Sequence, residues 1–344
     1  MSHPPRSGHH AAQVTEPGGP VLVAPVEARE PGPGEVRLDV LASGICGADA
    51  GMAANRAPDS GFPLVPGHEV AGVVAELGPG VHGWEVGEKA GVGWFGGSCG
   101  SCTACRSGDP VHCPRREIPG LSYPGGWATT LTVPVNALAR IPEGLSAAEA
   151  APFGCAGVTT FNALRHSGAE AGDRVAVLGI GGLGHLAVQF AAAMGFETVA
   201  VARGEDKRKA AMQLGAHHYI DASHEDAGQA LRKLGGCRLI LSTAASSKPL
   251  AGLIDGLAPH GRLTVVGFDG SPLDLALGKL VMHARSVTGH VTGNPLDTEQ
   301  AMRFALASGV RPLVQTAPLA EAAEALKIQQ AGRARFRMVL IPTV

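Results

Sequence analysis

The chain has 344 residues, 45% of them hydrophobic and 17% charged, with a formal net charge of −2. That length suits two domains rather than one. The near-neutral balance, with a pI of about 6.7, offers no basic stripe to nucleic acid or to an anionic membrane.

Residues 1–10 are polar and rich in proline and histidine, with no apolar run of the kind a secretory leader carries. They are expected to form a disordered tail, and the protein is expected to be cytoplasmic. Up to about Ala156 the chain reads as short strands punctuated by glycine and proline: Glu35–Leu41, Val70–Leu77, Lys89–Val92 and Trp127–Val133. That is the texture of an all-β domain. From Ala156 the texture changes to strands alternating with helical periodicity. Strands are expected at Arg174–Leu178, Thr198–Ala202, His218–Ile220, Arg238–Ser242 and Arg262–Val266. Helices are expected at Leu186–Met194, Lys207–Leu214, Ala227–Leu234 and Leu250–Leu257. The alternation predicts a parallel sheet with helices on both faces. It stops after Val287–His290, leaving helices at Thr298–Ala307 and Leu319–Gln330 and a last strand at Phe336–Ile341. The most apolar window, Val175–Phe196, is broken by five glycines, His185 and Gln189, so it does not read as a membrane span.

Between the strand at 174–178 and the helix that follows lies Gly179-Ile-Gly181-Gly182-Leu183-Gly184. A GxGxxG in that position is a dinucleotide-binding turn. Its glycines permit the tight turn and let the backbone approach a pyrophosphate, whose charge then sits at a helix N-terminus.

Four of the seven cysteines are spaced Cys99-x2-Cys102-x2-Cys105-x7-Cys113 in a loop rich in glycine and serine. Four thiolates at that spacing fit a closed tetrahedral zinc site, and a disulfide framework is not needed by a chain long enough to build its own core. Cys46, His68 and Cys155 form a second candidate set. Two thiolates and a neutral imidazole would bind Zn²⁺ as a neutral unit and leave its fourth position open to a carbonyl or alcohol oxygen. Asp49 could accept a hydrogen bond from the other nitrogen of His68 and fix its tautomer, and Glu69 could act behind it. Taken singly, each of these residues also reads as a buried cysteine, a satisfied histidine or a solvated acid. Cys237 reads as core or loop packing.

Together GHE at 67–69, the four-cysteine loop, CAGVT at 155–159 and GIGGLG at 179–184 resemble the zinc-dependent medium-chain alcohol dehydrogenases. The similarity runs from about Ala11 to the C-terminus. VGWFGGSCGSC at 92–102 and AGRARFRMVL at 331–340 are similar to bacterial members and to cinnamyl-alcohol-dehydrogenase-like reductases. The resemblance implies a GroES-like β-rich catalytic domain at 1–156 and 293–344, and a doubly wound Rossmann coenzyme domain at 157–292. It implies two zinc ions per chain: a catalytic one on Cys46, His68 and Cys155, and a structural one on the four-cysteine loop. It implies a nicotinamide near Thr159, Val266, Phe268, His290 and Thr292, with Arg337 reaching the coenzyme phosphates. Trp94 and Phe95 would wall the substrate pocket. Homodimers or homotetramers built through the coenzyme domains are also implied, as is reversible hydride transfer between NAD(P)(H) and a small carbonyl or alcohol substrate.

Two departures are informative. The acidic residue that ends the second strand of NAD-binding folds and takes the ribose hydroxyls is absent. The strand ends at Ala202, and Arg203 follows, with Lys207, Arg208 and Lys209 nearby. A guanidinium suits a 2′-phosphate, so NADP(H) is expected over NAD(H), although Glu205 and Asp206 lie in the same run. In the family a serine or threonine two residues after the first zinc-ligand cysteine passes the alcohol proton on, often to a histidine three residues further along. Here those positions are Ala48 and Gly51. Aldehyde reduction is the expected activity. Reduction of an imine, an iminium or a conjugated C=C bond on the same scaffold is the alternative, and a non-catalytic relative ranks below both. His290 and Thr292 are candidate substitutes in the relay.

Overall fold

The structure is a computed structural model and describes residues 8–54 and 61–342. Of the stretch 1–10 expected to be a tail, residues 1–7 lie outside the described residues. His10 instead opens the first strand, and His9 Nδ1 lies 3.1 Å from Thr129 Oγ1. The chain divides into two compact units. Unit one holds the residues up to Val158, Thr292–Leu306 and the segment from Pro312 onward. Unit two holds Thr159–Val291 and Ala307–Arg311.

Unit one begins with an antiparallel pair, β1 (His10–Val14) and β2 (Val21–Pro25). Its main sheet is built on β3 (Glu35–Ile45), whose residues alternate between half-buried and buried through Ala42. The inward set Val36, Leu38 and Val40 packs with Val70, Val74, Val92, Leu131 and Val133 into one core. This is the period-two pattern of a strand with one face on a core. Next come α1 (Gly47–Ala53), β4 (Val70–Leu77), β5 (Lys89–Val92), α2 (Thr103–Arg106), β6 (Thr130–Pro134), β7 (Leu138–Arg140) and α3 (Ala147–Ala150). Ser146 caps α3 reciprocally with Glu149. The strand expected at Trp127–Val133 begins only at Thr130. The residues before it pair with β1 instead, Ala12 N donating to Trp127 O and Thr129 N to His10 O.

The helix α4 (Ala156–Arg165) leads towards the parallel sheet of unit two. There follow β8 (Arg174–Leu178), α5 (Gly184–Ala193), β9 (Glu197–Ala202), α6 (Arg208–Gln213), β10 (His218–Asp221), α7 (Ala227–Lys233), β11 (Cys237–Ser242), α8 (Leu250–Leu253), β12 (Leu257–Val265), α9 (Gly278–Val281) and β13 (Ser286–Gly289). The strands are ordered β10-β9-β8-β11-β12-β13 and all pair in parallel. Val175–Leu178 and Val199–Ala202 are continuous buried apolar runs, as a sheet covered on both faces requires. The order reverses between β8 and β11, and in such sheets ligands bind at the carboxyl ends of the strands at that switch point. The helix expected at Leu250–Leu257 gives way to a 3₁₀ turn at Ile254–Gly256. The strand expected from Arg262 starts at Leu257, because a bulge lets both Leu257 and Arg262 find partners on β11. Cys237 is the first residue of β11 and is wholly buried; burial pushes its thiol up to about 12.

The remaining elements are α10 (Pro295–Ser308), β14 (Val314–Pro318), α11 (Ala322–Gln330) and β15 (Arg337–Ile341). In unit one β14 pairs with β15, and β15 with β3, completing a seven-stranded sheet. No helix among the described residues is long and apolar enough to cross a membrane.

Candidate metal and coenzyme sites

The first cluster lies wholly in unit one. Cys46 follows β3 and stands at the N-cap of α1, His68 and Glu69 immediately precede β4, and Cys155 follows a 3₁₀ turn at Ala151–Gly154. Two glycines bring Cys155 into place. A Cβ on Gly93 would meet Gly154 O at 2.1 Å, and Trp94 N donates to the same oxygen at 3.0 Å. The chain before Cys155 therefore lies directly against the end of β5. The two sulfurs of Cys46 and Cys155 are 4.0 Å apart, and one ligand atom from each of Cys46, His68, Glu69 and Cys155 lies within 4.8 Å of all the others. Tetrahedral zinc with Zn–S bonds of about 2.3 Å separates two sulfurs by roughly 3.8 Å. His68 Nε2 is buried without a hydrogen-bond partner, which is the orphaned atom a metal would satisfy. The donor set therefore fits zinc.

Asp49 organises this cluster. It is completely buried, and its Oδ2 accepts from Cys46 N at 2.8 Å. Its Oδ1 accepts from Gly67 N at 3.1 Å and lies 3.0 Å from His68 Nδ1. Burial opposes charge on His68, but the Asp49 carboxylate and Cys46 outweigh it and hold the imidazole well above its ordinary value. The hydrogen bond between the sulfurs holds the Cys46 thiol well below its ordinary value and Cys155 well above. Glu69 is also fully buried and ion-paired to Arg337 on β15, itself 3% exposed. Burial raises the Glu69 carboxyl to about 7 against the pull of Arg337.

The second cluster is the four-cysteine loop around α2. Its sulfurs are 3.5 Å apart for Cys102–Cys105 and Cys99–Cys113, 3.8 Å for Cys102–Cys113 and 4.0 Å for Cys99–Cys105. These are edge lengths of a small tetrahedron and fit a closed four-thiolate site. Backbone N–H groups of Ser101 and Cys102 hold the Cys99 thiol down to about 5, favouring the ligating thiolate.

Trp94 stands edge-on to His68 with ring centroids 4.9 Å apart. It packs with Ala48, Phe62 and Leu121 around buried Met52, Leu64 and Ile118. Phe95 is buried and lies outside that cluster. Ala48 and Gly51 both belong to α1, so no hydroxyl stands at either position.

In unit two the glycine turn separates its tasks residue by residue. Gly179 has φ +89°, which the tight turn requires. A Cβ on Gly181 would meet nothing within 4 Å, leaving open space beside the backbone. A Cβ on Gly184 would meet Gly179 O at 1.7 Å, so α5 packs on the strand end only without a side chain there. Gly182 and Leu183 complete the turn. These are the three roles that a pyrophosphate-binding turn assigns to its glycines. At the end of β9, Arg203 is exposed and its side chain makes no hydrogen bond or ion pair among the described residues, and Lys207 is half-buried. Glu205 is committed to Arg208, which donates to it at 2.8 Å.

Sequence reasoning missed Asp221, which ends β10 beside Ala202. Its Oδ1 accepts from Gly204 N at 2.8 Å and from Ser223 N and Oγ at 2.9 and 2.6 Å. Those bonds hold its carboxyl down at about 2 and fix the turn that carries Arg203. The only signal in the sequence was an acid closing the neighbouring strand.

Thr159 is buried on α4, Val266 is half-buried just past β12, Phe268 is exposed, and His290 follows β13 with its N donating to Val265 O. Thr292 and Arg337 belong to unit one and the other expected coenzyme contacts to unit two. Thr292 is buried and its Oγ1 has no hydrogen-bond partner.

Residues 32–143 match the model of the alcohol dehydrogenase GroES-like domain, and residues 182–307 match that of the zinc-binding dehydrogenases. The chain is 39% identical over 329 residues to alcohol dehydrogenase notN of an Aspergillus species, covering 96% of each chain. It is 36% identical over 309 residues to aldehyde reductase AdhA of a Synechocystis species, covering 90% of this chain and 91% of that one. The solved structure of CAD from Helicobacter pylori complexed with NADP(H) is similar with a TM-score of 0.87 and 26% identity, over 97% of each chain.

Gly184→Ala is expected to lower the thermal midpoint and to weaken coenzyme binding, because the new Cβ displaces α5, at a cost of about 1–3 kcal/mol. Gly181→Ala should leave the midpoint unchanged and lose coenzyme affinity alone. Thermal unfolding and coenzyme titration of the two variants check this.

Proposed function

The chain belongs to the zinc-type medium-chain alcohol dehydrogenase family, and from that premise we propose that it reduces aldehydes with NADPH. It is an oxidoreductase of the alcohol and aldehyde dehydrogenase type, acting on small molecules with zinc and a nicotinamide coenzyme. The observation that carries the finer reading is the pairing of the Cys46–His68–Cys155 cluster with an exposed, unpaired Arg203 where an acid would select NAD(H).

Bound zinc would supply Lewis acidity to a carbonyl or alcohol oxygen, and the nicotinamide the hydride. The chain's own residues hold and orient. Cys46, Cys155 and His68 present three ligand atoms from three separate segments. Asp49 faces Nδ1 of His68 at 3.0 Å, which favours the proton on that nitrogen and leaves Nε2 as the ligating atom. Glu69 and Arg337 place a paired charge behind the cluster. Trp94 and the apolar residues beside it exclude water from one side of the site, which strengthens electrostatic stabilisation of charge developing on the substrate oxygen. On reduction the carbonyl carbon gains the hydride, and the oxygen gains first the electron pair and then a proton. With Ala48 in place of a hydroxyl, that proton comes by another route.

The proposed stoichiometry is two zinc ions per chain, supported by two clusters of candidate ligands, Cys46, His68 and Cys155 beside Glu69, and the four-cysteine loop. In the proposed assembly, subunits pair through β13. It is the edge strand of the six-stranded sheet, and beside it Leu277, Val281 and Met282 are 71–77% exposed. The pair is a homodimer, or half of a homotetramer.

Metal analysis should find two zinc ions in the wild type and one in each of two variants. Cys102→Ser should lower the thermal midpoint strongly, since a closed site contributes folding free energy directly. Cys155→Ser should abolish turnover with a smaller effect on unfolding. A single zinc in fully active wild type would overturn the assignment.

Steady-state kinetics with both coenzymes tests the NADP reading. kcat/KM should be higher with NADPH than with NADH, and Arg203→Ala should lower the NADPH value about 10–100-fold. That is the range of one or two charge-assisted hydrogen bonds, at about 1.4 kcal/mol per factor of ten. Preference for NADH, untouched by Arg203→Ala, would refute it.

The missing hydroxyl favours a second reading, reduction of a C=N or conjugated C=C bond. A cationic iminium is neutralised by hydride and needs no proton at the metal. Ala48→Ser is expected to raise simple alcohol oxidation, within the roughly 10²–10⁴-fold range of a positioned proton-transfer group. C=N or C=C turnover should stay level or fall. Typical alcohol oxidation by wild type, with no gain in Ala48→Ser, would leave the plain alcohol dehydrogenase reading standing.

A further inference from the structure

We propose that Asp221 is a positioning residue for coenzyme choice: it holds the Arg203–Gly204 turn so that the Arg203 guanidinium stays available to a 2′-phosphate. The inference rests on the NADP(H) reading of Arg203 and deepens it, because it names what aims that side chain. An acid at a strand end beside Ala202 has an obvious alternative task, which is to take the ribose hydroxyls of NAD(H) itself. Asp221 pairs with Ala202 in the sheet and is 4% exposed. Neither of its oxygens is open to a ribose. Oδ1 accepts from Gly204 N at 2.8 Å and from Ser223 N and Oγ. Oδ2 is buried, with His224 Nε2 3.8 Å away. The carboxylate therefore acts on the chain and not on a ligand.

What it holds is a turn that would otherwise be loose. Gly204 has φ +83°, a conformation in which glycine alone is unstrained, and glycine is the residue with most backbone freedom to lose. Two side chains of β10 grip it from opposite sides. Asp221 takes its N–H, and the Tyr219 hydroxyl donates to its carbonyl oxygen. The residues before Arg203 are anchored as well. Gly179 N donates to Val201 O at 2.8 Å, and Ala222 N to Ala202 O at 2.8 Å. The end of β9 is thus tied to the glycine turn on one side and to the end of β10 on the other. Arg203 stands between these anchors, exposed, its side chain without a partner among the described residues. Glu205 is taken by Arg208, whose guanidinium lies over the Tyr219 ring at 4.7 Å from its centre. Backbone fixed on both sides of Arg203 lowers the ordering cost when that long side chain closes on an anion. A guanidinium set in place can then meet a phosphate in its bidentate geometry.

Calorimetric titration of 2′,5′-ADP and of 5′-AMP into the full-length zinc-loaded protein isolates the 2′-phosphate, which only the first carries. Asp221→Ala should weaken 2′,5′-ADP about tenfold and leave 5′-AMP within about twofold. Asp221→Asn, whose amide oxygen can still accept from Gly204 N, should recover most of that loss. In an Arg203→Ala background Asp221→Ala should add nothing, because it acts through that side chain. Circular dichroism shows whether the variants remain folded. Tyr219→Phe keeps the ring and drops only the bond to Gly204 O, so it decides the matter if Asp221→Ala does not fold. It should weaken 2′,5′-ADP about threefold, again without effect on 5′-AMP. Three results would overturn the proposal: equal weakening of both nucleotides, full additivity with Arg203→Ala, or 2′,5′-ADP affinity untouched in the folded variants. If Arg203→Ala itself leaves 2′,5′-ADP affinity unchanged, the NADP reading fails and takes this proposal with it. The other three results strike the proposal alone.

Discussion

A single buried carboxylate sets the geometry on which the candidate metal cluster depends. Asp49 reaches the backbone of Cys46, the backbone of Gly67 and the ring of His68 at once. An isolated carboxylate at such a place would be strongly disfavoured; with three partners it becomes a clamp. It fixes the start of α1, the turn before β4 and the orientation of the imidazole together. The two thiols then have only one place to meet, which the Gly93–Gly154 approach provides. Glu69 and Arg337 make a second buried pair behind the first. Removing one member of such a pair is costly because it strands the other charge, so the cluster holds its form as a whole or not at all.

The glycine-turn end of unit two relies on backbone rather than buried charge. Gly184 permits α5 to rest on Gly179, and Gly181 leaves its surroundings open. At the neighbouring strand end a carboxylate is present, but it is turned inward. Asp221 spends one oxygen on Gly204 and Ser223, and so it shapes the turn rather than facing a ribose. Tyr219 adds a hydrogen bond from its hydroxyl to Gly204 O. The Arg203 side chain is left without a partner among the described residues, with Glu205 drawn off by Arg208.

How much of this was legible in the sequence depends on how local each feature is. The four-cysteine loop lies within fifteen residues and shows in its spacing. The glycine turn shows because strand, turn and helix are contiguous. The parallel order of unit two follows from alternation alone. Asp49 was readable as a partner of His68, but not as a partner of two backbone N–H groups, because backbone donors carry no residue identity. The Glu69–Arg337 pair joins residues 268 positions apart, and no periodicity marks it. The β1–β2 pair was passed over because two five-residue strands around a proline- and glycine-rich loop fall below what alternation can signal. Trp127–Thr129 read as the start of a strand because its pairing with β1 lies more than a hundred residues away.

The same geometry gives Ala48 its meaning. Around the candidate metal ligands the chain supplies buried carboxylates, a guanidinium and an imidazole, so charge at this cluster is well supported. Immediately beside them α1 supplies Ala48 and Met52, which join Leu64, Ile118 and Trp94 in an apolar wall. A site with strong electrostatics and an apolar flank stabilises a developing negative charge more readily than it moves a proton along that flank. The order of difficulty among substrates follows. Under the proposed reading, a substrate that hydride neutralises directly makes no demand on the hydroxyl absent at position 48, whereas an alcohol must lose its proton by another route. Under that reading, Ala48 bears on which bond is reduced, and in which direction, more than on whether hydride moves at all.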